Sequence, residues 1–255
     1  KIPDSTLPPA AGPAELKLED LSFAYPHQPP LFKHVSFQVH AGQIIGITGP
    51  LACGKSTLGR LLLGELPYAG SLRINGLEIA QLNSAQISRL VSYLGHSPQL
   101  LSDTIEENIQ LGEDLDCLFW LKLTALKEEV TAMPEGLKTQ VGALGTRLSG
   151  GQQARLALAR TLARQRPVWV LDDPFSAVDP ATEDEILRNL RSLAQDRIIL
   201  LISHRLAHFA QFDQVLWLEN GTARMADPAT LMAENPAYAQ LVKIQQKKAG
   251  DDDEK

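Results

Sequence analysis

Gly49-Pro50-Leu51-Ala52-Cys53-Gly54-Lys55-Ser56-Thr57 decides how the rest of the sequence is read. An apolar run, Ile44-Ile45-Gly46-Ile47-Thr48, leads into it, and Leu58-Gly59-Arg60-Leu61-Leu62-Leu63 leads away. The run predicts a buried strand, and the continuation predicts a helix with an apolar face. Between them the spacing G-x-x-x-x-G-K-[ST] marks a loop that cradles phosphates. Its glycines let the backbone pass close to an anion, and N–H groups at the helix start converge on it. Lys55 then reaches the β- and γ-phosphates, and the Ser56 hydroxyl ligates Mg²⁺. The alternative is a strand-to-helix turn that binds nothing. The strand-loop-helix context argues against it. A nucleoside triphosphate is the expected ligand.

The bulk composition bounds the remaining classes. A chain of 255 residues with 44% hydrophobic and 21% charged residues suits one large α/β domain or two small lobes. A net charge of −6 argues against a nucleic-acid partner. Two cysteines, Cys53 and Cys117, are too few for a disulfide framework and read as reduced thiols. No stretch approaches the roughly 18–20 apolar residues of a membrane span, and Lys1 onward does not read as a signal peptide. The chain is expected to be soluble, or the soluble part of something larger.

Along the chain, residues 1–14 are rich in proline and small residues and read as a linker. A structured domain is expected over 15–246. Leu16-Lys17-Leu18, Leu21 to Tyr25 and Val35 to Val39 alternate like strands, which predicts a small antiparallel layer beside an α/β core. Tyr25 closes one of these strands, where it is either half-buried packing or a platform for adenine. Gly70 to Gly76 predicts a strand with an Asn-Gly turn, 84–90 a helix, and Val91 to Leu94 a strand. Residues 103–147 read as helical, capped near Asp103-Thr104 and broken at Pro134-Glu135-Gly136, part of an inserted helical lobe over about 97–160. Beyond it come a helix opened by Leu148-Ser149-Gly150-Gly151-Gln152 and a buried strand, Val168 to Asp172. Helix 181–194, strand 197–202, short strands near 214–218 and 222–225, and a helix over about 228–246 complete the domain. Lys247 to Lys255 reads as a disordered, solvated terminus or as residues appended in expression.

Four further points carry chemistry. Asp172 ends an apolar strand beside a phosphate loop, the position of a Mg²⁺ ligand, although many strand-end aspartates only cap a turn. Asp173 stands where a general base would meet the attacking water. Ser149, Gly150, Gly151 and Gln152 at a helix start form a second anion site. One chain already has one phosphate loop, so this second site implies that two chains sandwich nucleotide. His204 follows a strand and can reach a γ-phosphate.

Tyr25, Gly49 to Thr57, Leu148 to Gln152, Val168 to Asp173, Ser176 to Asp179 and His204, in that order, resemble the nucleotide-binding domain of ABC transporters. The resemblance covers roughly residues 15–245, and Leu-Ser-Gly-Gly-Gln is its most specific element. It implies a P-loop ATPase core with a small antiparallel layer and a helical subdomain, and ATP with Mg²⁺ as cofactors. It also implies a head-to-tail dimer with a second nucleotide-binding domain, work with a transmembrane domain, and a place on the cytoplasmic face of a membrane, the bacterial inner membrane. The binding set carried over is Tyr25, Gly49, Ala52, Cys53, Gly54, Lys55, Ser56 and Thr57, completed by Ser149 to Gln152 of the other chain. Ser102 to Ile109 looks like the exporter branch.

The departures from the family pattern are specific. Asp173 stands where many members have glutamate, and its carboxylate falls roughly 1.5 Å short. A general base must come within about 2.6–3.2 Å of its proton. His96 occupies the place of a glutamine that contacts the metal-water shell, with Gln99 as the substitute. Ala52 replaces a glycine, Leu51 a polar residue, and Val141 to Gly145 lacks an acidic and basic pair. The implied reading is the degenerate half of a heterodimeric exporter. Beside it stand a homodimeric exporter with a sluggish Asp173, an importer subunit, and a non-transport ABC protein.

Overall fold

The computed structural model describes residues 6, 7 and 12–253, with side chains through Gln245. Most of the linker read over 1–14, and the end of the tail at 254–255, lie outside the described residues. Strands β1 (Glu15–Phe23) and β2 (Phe32–His40) come first, then β3 (Ile44–Thr48) and helix α1 (Lys55–Leu62). Next are β4 (Ala69–Ile74), β5 (Leu77–Glu78), α2 (Ser84–Ile87) and β6 (Val91–Leu94). Three short helices follow: α3 (Ile105–Gln110), α4 (Cys117–Leu123) and α5 (Lys127–Ala132). The remainder is α6 (Gly150–Ala163), β7 (Val168–Asp172), α7 (Pro180–Leu193), β8 (Ile198–Ile202), β9 (Gln214–Glu219), β10 (Thr222–Ala226), α8 (Pro228–Glu234) and α9 (Pro236–Asp253).

Two sheets organise these elements. A four-stranded antiparallel sheet runs β2-β1-β4-β5, and a six-stranded sheet runs β10-β9-β3-β8-β7-β6, with only β10 antiparallel to its neighbour. Every residue of β3, β7 and β8 is buried, as parallel strands covered on both faces require. Their alternating side chains feed two cores: Ile44, Trp169 and Leu171 join one, and Ile45, Ile47, Val168 and Val170 the other. Because β3, β7 and β8 run parallel in near register, the loop after Thr48, the carboxylate of Asp172 and the turn at Ser203-His204 all emerge at one edge. Ligands of open parallel sheets bind at that carboxyl edge.

The small antiparallel layer expected from the sequence is present, with two local differences. Leu16–Leu18 and Leu21–Phe23 form one strand, not two. A bulge at Asp20 (φ 54°) flips the inward face from Leu16 and Leu18 to Leu21 and Phe23. Tyr25 lies just past the strand end. The region 103–147 is not one helical run: Leu111 (φ 48°) and Gly112 (φ 83°) end α3, and Ala125 (φ 52°) separates α4 from α5. Only residues 84–87 of the helix expected over 84–90 are α-helical. The C-terminal helix breaks at Asn235-Pro236 into α8 and α9, because proline starts a helix but cannot continue one.

Candidate nucleotide site

Helix α1 differs from the capped helices around it. Asp179, Asp227, Thr104, Asp116 and Ser149 each accept a backbone N–H at the start of α7, α8, α3, α4 and α6. The start of α1 is Gly54 (φ 103°), with no side-chain cap and no acid in the first turn. Its first N–H groups therefore remain available to an outside anion. Gly49 is required by space: a Cβ there would lie 2.1 Å from the Leu218 carbonyl oxygen. Ala52 takes the left-handed conformation at φ 61°, which glycine would adopt without strain.

Lys55 is buried, and its Nζ donates to the carbonyl oxygens of Gly49 and Pro50 at 3.0 Å each, with Cys53 Sγ at 3.6 Å. Burial raises the Cys53 thiol pKa against the opposing pull of Lys55. A cavity of about 400 Å³ opens over this loop, and Tyr25, Lys55, Ser56, Thr57 and His204 line it. Tyr25 is fixed there by an edge-on contact with Phe23, by Thr57 Oγ1 at 3.2 Å and by Arg60 Nη1 at 3.4 Å. His204 is exposed in the cavity. Its carbonyl accepts a hydrogen bond from Gln245 Nε2 at 2.6 Å, and Gln245 Oε1 accepts the Leu206 N–H at 2.8 Å. Helix α9 thus grips the His204 turn with one side chain.

Asp172 is buried, and its Oδ2 accepts the Tyr93 hydroxyl at 3.2 Å. Burial and the Asp172 charge raise the pKa of that phenol, which stays protonated. No cation pairs with Asp172 among the described residues. A buried carboxylate of that kind, at the edge shared with the Ser56 hydroxyl, fits a divalent ion. Among the described residues no group of three His, Cys, Asp or Glu could hold a metal alone. Asp173 is largely buried and left-handed at φ 52°, and its Oδ2 lies 3.6 Å from Nδ1 of the exposed His96. Gln99 instead offers its backbone carbonyl to Arg160 Nη2 at 2.7 Å. His96 is therefore the one of the two that meets Asp173.

Ser149 to Gln152 do not line this cavity. Ser149 Oγ accepts the Gln152 N–H at 3.2 Å, and Gln152 Oε1 accepts the Ser149 N–H at 2.9 Å. This capping box leaves the Ser149 hydroxyl proton free to donate to an oxyanion. Glu129 braces the helix start by accepting Gln152 Nε2 at 2.8 Å and pairing with Arg155 at 2.7 Å. Nothing in the sequence marks Tyr93 or Glu129 for a site, because each meets its partner only through the fold.

Residues 32–176 match the ABC transporter family. The chain is 33% identical over 212 residues to a putative export ATP-binding/permease protein of Rickettsia bellii, covering 81% of this chain and 37% of that protein. It is 30% identical over 261 residues to the multidrug resistance-like ATP-binding protein MdlA of Escherichia coli, covering 99% of this chain and 44% of that protein. A solved bacterial Atm1-family ABC exporter with ATP bound superposes with a TM-score of 0.88 at 30% identity, over 96% of this chain and 44% of that one. The chain spans less than half the length of these relatives.

Proposed function

The chain belongs to the ABC transporter family, and on that premise we propose that it is the ATP-binding and ATP-hydrolysing domain of an exporter. The observation that carries this is the uncapped, acid-free start of α1 facing a cavity that also holds Lys55, Tyr25 and His204. ATP with Mg²⁺ would supply the polyphosphate and the divalent charge that suit these residues. Lys55, beside the Gly49 and Pro50 carbonyls, would reach phosphate oxygens, Tyr25 would offer its ring to the base, and Asp172 with Ser56 would hold the ion. Asp173, assisted by His96, orients the water, and His204 meets the γ-phosphate. Ser149 to Gln152, which do not line the cavity of their own chain, complete the site of a second nucleotide-binding domain. The remainder of the exporter, a transmembrane domain, holds the transported substrate and places this domain on the cytoplasmic side of a membrane, the bacterial inner membrane.

Within that reading, this chain is the half whose own site turns over slowly. Asp173 supports it, because the shorter acid sits in a left-handed conformation and its carboxylate lies beside His96. The test is hydrolysis by the assembled transporter. Asp173→Ala is expected to leave at least half the activity, while Ser149→Ala removes most of it. Loss of turnover in Asp173→Ala would make this the working site and overturn the degenerate assignment.

A further inference from the structure

Arg205, directly after His204, crosses to the loop that follows Asp173. Its Nη1 donates to the carbonyl oxygens of Phe175 at 2.9 Å and Val178 at 3.2 Å, the two ends of one turn. The same nitrogen lies 3.1 Å from Glu183 Oε2. Its two protons are spent on the carbonyls, which explains why Glu183 Oε2 gains the charge contact without a hydrogen bond. Glu183, on α7, is 3% exposed, and its other oxygen faces His208 Nε2 at 3.5 Å. Inside the pinned turn sits Ala177, whose carbonyl oxygen would lie 3.0 Å from a Cβ on Gly151 and whose methyl would lie 3.8 Å from one on Gly150. The loop that starts at the candidate base therefore carries, in this turn, the shelf beneath the Gly150-Gly151 pair.

We propose that Arg205, balanced by Glu183, is a positioning residue that fixes the Asp173–Asp179 segment relative to His204 for ATP hydrolysis. Arg205 does not line the nucleotide cavity. Its effect runs through Asp173 if this chain's site turns over, and through the Ala177 shelf under Gly150-Gly151 if a partner's site does. The inference rests on the ATPase reading above.

Arg205→Ala alone would strand the buried Glu183 charge, so the test uses Arg205→Ala/Glu183→Gln against Glu183→Gln in the assembled transporter. Displacement of reacting groups by about 1 Å can cost up to about a hundredfold in rate. The double variant is expected to lose about tenfold or more in kcat, with KM for ATP within about twofold. In hydrogen exchange without nucleotide, amides of 176–179 should exchange faster while those of β7 and β8 do not change. A kcat within about threefold of the Glu183→Gln control, or faster exchange throughout β7 and β8, would overturn the proposal. A wild-type transporter without Mg-ATP hydrolysis would instead defeat the ATPase reading. The exchange of residues 176–179 would then decide the role of Arg205 by itself.

Discussion

Lys55 already has partners, and that sets what its loss costs. Its ammonium group donates to two loop carbonyls, and a charged contact from the same group to a phosphate would be stronger than either. Lys55→Ala is expected to weaken ATP binding by about 1.5–3 kcal/mol, roughly a ten- to hundredfold rise in Kd by calorimetry. An unchanged Kd would place the phosphates elsewhere. The loop was legible because its residue types are chemically obligatory. Asp172 was legible for the same reason, as a charge at the end of an apolar strand. Arg205 was not: its partners Phe175, Val178 and Glu183 lie about 20–30 residues away, and nothing local marks an arginine that binds carbonyls across a turn.

At the scale of elements, α1 starts without a side-chain cap, whereas α6 starts with a reciprocal one from its own chain. Ser149→Ala removes the closing hydroxyl and should destabilise the domain by about 1 kcal/mol, lowering Tm by about 2–4 °C in thermal unfolding. Ser149→Thr should restore most of it. A Ser149→Ala protein that melts like wild type would show that Glu129 and Arg155 hold the helix start without the cap. The buried strands β3, β7 and β8 were readable because each is a short, wholly apolar run. The breaks within 103–147 were not, because they depend on Leu111 and Ala125 adopting positive φ, which neither residue type favours. The register shift at Asp20 was hidden for a related reason: each half of β1 alternates correctly by itself.

For the whole molecule, the buried Glu183–Arg205–His208 group makes stability depend on pH. Burial raises the Glu183 carboxyl to about 7, with Arg205 pulling the other way. Its folded pKa lies above the unfolded 4.5, so its contribution is greatest below 4.5 and is lost as pH rises through about 7. Glu183→Gln should flatten that decline, on the order of 1–3 kcal/mol in denaturant unfolding between about pH 5 and 8. Burial lowers the His208 pKa, so its contribution instead falls as pH drops below 6.5. An identical pH slope in Glu183→Gln and wild type would refute the assignment. The Gln245 bracket on the His204 turn carries a practical consequence for anyone redesigning the chain. Shortening it to residue 243 would look like harmless trimming. It would strip the His204 carbonyl and the Leu206 N–H of their shared partner, so a shortened variant with altered catalysis would be reporting its missing end rather than its cavity.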